Sequence, residues 1–302
     1  MNLKKAIALS ALVLGLALAP QAATAGGAGV ELPKEEWNHH GPFGRFDQAQ
    51  LKRGAQVAVE VCMSCHSIKY IKFDHLRQFG FTEEQVSEMA GANDANKKDP
   101  MNSPLAAEDA QDTYGTLPPD LSLMTKARKG YENYLYAILT GYLTDEEMDK
   151  VSEVAEDGVT VDEAIALSST LHMPAPSKSD LALEVTANTD AKVIKRKDKA
   201  EAKLKKIREA VSKIGGGDNF NKFFPGHIIA MPQPMTEDQV EYADGTHASL
   251  EQQSKDVTAF LAWAAEPTLE KRKSTGKVVI LYLLLLTAML YAVKRRIWSR
   301  IP

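Results

Sequence analysis

The pentapeptide Cys62-Met63-Ser64-Cys65-His66 contains both cysteines of the chain. Two thiols at this spacing can add to the two vinyl groups of a haem, and the histidine that follows is then left beneath the iron. On a helical turn the three residues fall at i, i+3 and i+4 and share one face. Two other chemistries use paired cysteines. A redox C-x-x-C pair calls for a flanking βαβ pattern, which is missing. A zinc site needs more thiolates or a second ligand pair, and no further cysteine exists. A covalently attached haem c is therefore the expected cofactor, with Cys62 and Cys65 as attachment points and His66 as an axial ligand.

The iron then needs a sixth ligand or stays open. His/Met ligation raises the reduction potential and suits an electron carrier. Two of the ten methionines precede a proline that would stiffen a ligand loop: Met173 and Met231. Met173 lies in a stretch poor in aromatics, whereas Met231 follows Phe223-Phe224-Pro225-Gly226-His227, an apolar setting suited to a haem pocket. Met231 is the favoured ligand, with Met173, His172 and His227 as alternatives. Most of the remaining methionines read as core filler.

Around the motif the pattern is helical. Leu51, Ala55, Ala58, Val59 and Cys62 fall at helical spacing over 49–62. Thr82 and Gln85 form a capping box ahead of Val86 and Met89, and Gly91 stops that helix. Residues 93–112 are rich in Ala, Asn, Asp, Lys and Pro and read as a surface loop. Pro118-Pro119 imposes an extended kink. Residues 130–142 form an aromatic helix with Tyr131, Tyr134, Leu135, Ile138 and Tyr142 on one face. Between 143 and 218 the aromatics vanish and charge rises. Thr144 with Glu147, and Thr160 with Glu163, open two helices. A basic helix over 192–213 carries a narrow seam of Ala200, Leu204, Ile207, Val211 and Ile214. This segment is expected to be an exposed helical insertion lying on the main domain, with a docking arm as the alternative. Val240-Glu241-Tyr242 before Asp244-Gly245 reads as a short strand and turn. Residues 254–269 read as a helix with Val257, Phe260, Leu261 and Ala264 on one face.

Composition bounds the function class. The 302 residues are 44% hydrophobic and 25% charged, with net charge −4, which excludes wholesale disorder, a multi-span transporter and the basic excess of a nucleic-acid binder. Two ends depart from that average. Lys4 and Lys5, the uncharged run 6–19 and Ala23-Thr24-Ala25 follow the order of a signal peptide over 1–25, cleaved ahead of Gly26. An uncleaved anchor helix is the alternative. At the other end residues 278–293 carry no charge. They span roughly 24 Å as a helix, and Lys277 and Lys294 can snorkel to bridge a ~30 Å hydrocarbon core. Lys294, Arg295, Arg296 and Arg300 place the tail 295–302 in the cytoplasm by the positive-inside rule. The expected organisation is a periplasmic haem domain over 26–273, with residues 143–218 as the charged insertion, and a transmembrane anchor over 274–294 in a bacterial inner membrane. Export agrees with covalent haem, which is attached outside that membrane.

Further blocks run through the chain in order: Trp37 with the short lead to the haem motif, LPPDLS at 117–122, KARKGYENYLYAILTGY at 126–142, FFPGHIIAMPQPM at 223–235, VEYADGT at 240–246, DVTAFLAWAAEP at 256–267, and the terminal span with its basic Arg-x-Trp-Ser ending. In these the chain resembles the cytochrome c1 family, the haem subunits of cytochrome bc1 complexes. The resemblance implies a mostly α, class I cytochrome c-like haem domain with long loops and one C-terminal membrane helix. It implies Met231 as the axial methionine, Arg128 as a haem-propionate contact, Tyr134 near the haem, and Pro118 and Pro119 packed on its edge. It implies cytochrome b, the Rieske iron–sulfur protein and a soluble or anchored cytochrome c as partners in a dimeric quinol-oxidising complex, with this chain carrying electrons rather than catalysing alone. Glu108, Asp109, Asp112, Asp145, Glu146 and Glu147 are candidates for the face that meets the soluble partner. Two departures stand out: about 75 residues intervene between the Thr140-Gly141-Tyr142 block and the Phe-Pro-Gly block, and the extra disulfide of some bacterial relatives is missing. Another membrane-anchored c-type subunit, or a haem enzyme or gas sensor with an open iron site, are the competing readings.

Overall fold

The computed structural model describes residues 31–186, 189–214 and 219–299; the expected signal peptide lies outside them. The described residues form a mostly helical protein whose one sheet pairs β1 (Ile68–Lys72) antiparallel with β2 (Pro100–Met101).

Two helices make the centre of the main core. α1 (Gln48–Glu60) starts where the Asp47 carboxylate accepts hydrogen bonds from the Ala49 and Gln50 amides, which satisfies two of the free donors at a helix start. Its inner face buries Leu51, Ala55, Ala58 and Val59, the residues expected from the spacing. It crosses α10 (Leu250–Ala265), which buries Val257, Phe260, Leu261 and Trp263. The crossing is close at Gly54, where a Cβ would stand 2.0 Å from the Asp256 carbonyl oxygen. Beside it the fully buried Asp256 carboxylate accepts from Arg53 Nε at 2.7 Å and from Nη2 at 3.3 Å, while Arg53 Nη1 donates to Asp244 at 2.8 Å. Removing one partner of a buried pair leaves the other uncompensated. Arg53→Ala is therefore expected to cost about 3–5 kcal/mol, measurable by denaturant unfolding of the holoprotein. Asp244 is held at about 2, below its ordinary range, by the Thr246 amide and then by Arg53. A depressed carboxylate stabilises the fold above its ordinary pKa, and this contribution disappears as the pH falls from about 4 to about 2. Thermal melts across that window should fall less steeply for Asp244→Asn.

After the haem motif a 3-10 turn (Phe73–Phe79) and α2 (Glu83–Gly91) follow β1. α2 carries the Thr82–Gln85 capping box read from sequence. The expected loop holds at 93–99 and 102–106 but is interrupted by β2 and gives way to a helix, α3 (Ala107–Tyr114). That helix buries only Ala110 and has no capping side chain at Ala106, so neither periodicity nor a cap marked it. α4 (Met124–Ala127) precedes α5 (Glu132–Thr140). Tyr131 stands before α5 with φ 53° and is exposed, outside the buried face of Tyr134, Leu135 and Ile138. The expected strand at Val240–Tyr242 is unpaired; Val240 and Tyr242 are buried side chains of an extended segment that turns at Gly245.

Residues 143–214 contain α6 (Asp145–Asp157), α7 (Val161–Thr170), α8 (Lys178–Leu181) and α9 (Ala191–Ile214). Both expected capping boxes form. The seam residues of α9 are all buried. α9 packs against α6, α7 and α8, and Leu204, Ile207, Val211 and Ile214 join Leu167, Leu171 and Met173 in a second core. The insertion thus builds its own small core, which Phe220 of the main chain enters.

α11 (Leu269–Trp298) runs unbroken from the end of the haem domain into the apolar span. Its 30 residues extend roughly 45 Å, long and apolar enough to cross a membrane, and its most apolar stretch has no buried residue. An exposed apolar surface of this extent is at home in lipid.

Candidate haem site

The haem motif begins where α1 ends. Cys62–Ser64 form a 3-10 turn rather than a continuation of the α-helix, yet the amides of Cys65 and His66 both donate to the Cys62 carbonyl, at 3.2 and 2.8 Å. One tight turn therefore gathers both sulfurs and the imidazole, as the spacing required. Met63, between the two cysteines, is fully buried. Cys62 packs against the main core, and burial pushes its thiol up to about 12. Cys65 Sγ lies 3.7 Å from the Tyr114 hydroxyl at the end of α3.

His66 Nδ1 sits 2.7 Å from the carbonyl oxygen of Pro119. A carbonyl only accepts, so Nδ1 carries the proton and Nε2 keeps its lone pair for a metal. Such a partner on the far nitrogen fixes the orientation of a ligating imidazole. Burial lowers the pKa of His66, opposed by the Pro119 carbonyl and Asp120, which favours the neutral ring that ligation needs. The Pro-Pro segment is held for this purpose by a lattice of short bonds to β1. Leu121 N donates to Ser67 O at 2.8 Å, Lys69 N to Asp120 Oδ2 at 3.1 Å and Tyr70 N to Ser122 Oγ at 3.1 Å.

Met231 lies on a hairpin whose base is pinned to the end of α5. Asn221, fully buried, donates from Nδ2 to the Ile138 carbonyl at 2.7 Å and accepts at Oδ1 from the Phe223 and Phe224 amides. Asn219 and Ile229 pair across the hairpin, as do Phe220 and Ile228. Gly226 and His227 take the reversal at φ 85° and 65°. Gly141 leaves room for the approach: a Cβ there would stand 2.7 Å from Asn221 Oδ1. The Tyr142 hydroxyl then donates to the Met231 carbonyl at 2.9 Å, which fixes the backbone that carries the thioether. Asn221, Gly141 and the hydroxyl of Tyr142 were not singled out in the sequence as site residues. An Asn two positions before Phe-Phe-Pro-Gly is the one local signal for such a pin.

A cleft of about 490 Å³ opens between Thr113 and Tyr114 on one side and Asn219, Ile228, Ile229, Ala230 and Pro232 on the other. One wall contacts Cys65 through Tyr114, and the other brackets Met231. Two thiols, an imidazole with a free Nε2 and a thioether, beside a cleft walled in part by Ile228, Ile229 and Pro232, make a donor set that fits a haem c. The other ligand candidates are engaged elsewhere. Met173 is buried in the second core, His172 Nε2 bonds the Glu31 carbonyl at 2.8 Å, and the His227 ring stacks on Phe220 with Nδ1 toward the Asn221 carbonyl.

Arg128 is exposed at the end of α4, with its guanidinium beside the hydroxyl of the buried Tyr134. Pro118 is half-buried and Pro119 exposed. Glu108, Asp109 and Asp112 are exposed on α3, next to the Tyr114 wall of the cleft, and Asp145 and Glu146 are exposed on α6. Glu147 is instead committed to Lys222 Nζ at 2.6 Å.

Known proteins similar to this chain share one family. The Cytochrome C1 family model covers residues 37–202 and 202–301. "Cytochrome c1" of Rhodospirillum rubrum is 37% identical over 98% of this chain and 96% of its own length. "Cytochrome c1, heme protein, mitochondrial" of Saccharomyces cerevisiae is 31% identical over 94% of this chain and 77% of its own. "Cytochrome b/c1" of Bradyrhizobium diazoefficiens is 33% identical over 97% of this chain, which spans only 39% of that longer protein. The haem motif on its tight turn, the pinned methionine hairpin and the apolar terminal helix all fall inside the matched residues, and the chain belongs to the cytochrome c1 family, with a covalently bound haem c as its cofactor.

Proposed function

We propose that this chain is the electron-carrying haem subunit of a quinol-oxidising cytochrome bc1 complex, accepting electrons from the Rieske iron–sulfur protein and passing them to a soluble or anchored cytochrome c. Two oriented ligand candidates support this reading: the Pro119 carbonyl orients His66, and the Tyr142 hydroxyl anchors the Met231 backbone. The haem supplies a one-electron iron couple, and His/Met ligation sets it at high potential while blocking small ligands. In the proposed site Cys62 and Cys65 would hold the haem through thioether bonds, His66 and Met231 would ligate its iron, and Arg128 would pair with a propionate in a charge-assisted bond. Tyr134 holds that guanidinium in place, and Pro118 and Pro119 pack on the haem edge.

The partners follow from the family and the surface. A relative in which one polypeptide is named cytochrome b/c1 supports cytochrome b as the membrane partner; the dimeric assembly rests on the family analogy alone. The acidic side chains of α3 border the cleft, where they can steer a basic electron acceptor toward the haem edge. Steered, weak docking gives fast encounter and fast release. Residues 1–25 act as the signal peptide and 26–273 as the periplasmic haem domain carrying the 143–218 insertion. Residues 274–294 form the inner-membrane anchor, and the basic tail 295–302 is cytoplasmic.

Truncation before Gly276 is expected to release a soluble, haem-bearing domain on cell fractionation. Retention in salt-washed membranes would instead mean a second anchor, the uncleaved run 6–19. Native purification from membranes tests the complex itself. The haem-bearing chain should emerge with a b-type cytochrome and an iron–sulfur protein; emergence with an oxidase and no cytochrome b overturns the assignment.

A further inference from the structure

A second constellation lies away from the haem cleft, where the segment after Trp37 meets the start of α5. His39 Nε2 stands 3.1 Å from Glu132 Oε1, and His40 Nε2 stands 3.4 Å from Glu132 Oε2. One ligand atom from each of the three lies within 4.8 Å of the others. Zinc bonds of about 2.0–2.1 Å in tetrahedral geometry put ligand atoms roughly 3.3–3.4 Å apart. The separation of His39 Nε2 from Glu132 Oε1 matches that edge within a few tenths of an ångström, while His40 Nε2 faces the other carboxylate oxygen. Only His40 must swing inward, and its side chain is 54% exposed and free to do so.

His39 and Glu132 are 6% and 14% exposed, so two ligands are preorganised and the third is the entry gate. The lysines that line the adjoining pocket of about 270 Å³ are already engaged: Lys126 pairs with Glu266, and Lys273 donates to the carbonyls of His39 and Gly44. The pocket leaves space for water as a fourth ligand. Two imidazoles and one carboxylate form a borderline donor set that selects zinc over the hard, oxygen-seeking Ca²⁺ and Mg²⁺.

We propose that His39, His40 and Glu132 form a reversible Zn²⁺ site that clamps the 37–46 segment onto α5, beside the first turn of α11. Binding replaces the two imidazole–carboxylate hydrogen bonds with metal bonds. The protons on the coordinating nitrogens move to Nδ1 or to solvent. Glu132 is followed by Asn133, whose Oδ1 accepts from Trp37 Nε1 at 2.8 Å and from the Glu35 amide at 3.2 Å. The metal would thus close the same junction that this hydrogen-bond pair already holds.

The test uses the full-length holoprotein in detergent, stripped with a chelator and dialysed against micromolar Zn²⁺. One tightly held zinc per haem is expected, unaffected by millimolar Mg²⁺, with X-ray absorption showing N/O ligands at about 2.0–2.2 Å and imidazole back-scattering. His40→Gln should weaken that zinc at least ~10-fold with the haem spectrum unchanged. Glu132→Gln should do the same but touches α5, so the exposed His40 variant decides. His247→Ala removes the exposed His247–Asp238 pair, at 3.3 Å, and should leave the tight zinc in place. Failure of the wild type to hold zinc, or retention of equal affinity by His40→Gln, overturns the site.

Discussion

Replacing Met231 with leucine is expected to leave the covalent haem in place while opening its iron to carbon monoxide. Cys62, Cys65 and His66 are untouched, and leucine keeps the apolar volume of the half-buried methionine, which packs at the margin of the main core. The Tyr142 hydroxyl still holds the backbone carbonyl at residue 231, so the hairpin should keep its course and only the sulfur is lost. Without the soft thioether the reduction potential falls. Each ~59 mV lost shifts a one-electron equilibrium about tenfold. A drop of ~120 mV therefore disfavours electron acceptance about a hundredfold from the proposed iron–sulfur donor, in which histidine ligation raises the potential. Redox titration, carbon monoxide difference spectra and quinol-dependent cytochrome c reduction together check this result. Met173→Leu serves as the contrast. Its side chain belongs to the second core, and a volume-conserving exchange there should cost less than about 1.5 kcal/mol and leave the haem spectrum unchanged.

Cys62→Ala and Cys65→Ala should each abolish or sharply reduce covalent haem, read by haem staining of denaturing gels. The effect extends beyond one lost bond. The apolar side chains of Ile228, Ile229 and Pro232 line the cleft, and without haem they lose the surface they would cover. The apoprotein should therefore be less stable and degrade in cells. Cys62 sits against the main core and Cys65 at the α3 edge, so Cys62→Ala is the more damaging of the two for packing. Normal covalent haem in both single variants would contradict the attachment sites.

The parts of the fold carried by strong local patterns were legible in the chain. The α1 face, the three capping boxes and the α9 seam each satisfy a donor or bury a stripe within a few residues. The haem motif was legible because the chemistry itself dictates its spacing. What escaped depends on distant partners. α3 has no cap and one buried residue. Tyr131 takes a left-handed φ that no pattern announces. Val240 and Tyr242 alternate like a strand, yet Tyr242 lies under the Arg53 guanidinium, at 5.7 Å, and the segment serves the α1–α10 clamp instead of a sheet. Asn221 could not be recognised from its neighbours, because its work is to join Ile138, 83 positions earlier, to the methionine hairpin. The insertion's role as a unit with its own core emerges only once α6, α7 and α8 surround α9.

Electron transfer through a closed, high-potential haem is tested most directly by stopped-flow spectroscopy of the purified membrane complex mixed with quinol. The expected result is reduction of this chain's c-type haem at the rate of overall turnover, an unchanged ferrous spectrum under carbon monoxide, and reoxidation by added soluble cytochrome c. A haem that stays oxidised while quinol is consumed, or a wild-type ferrous spectrum that shifts with carbon monoxide, would contradict it.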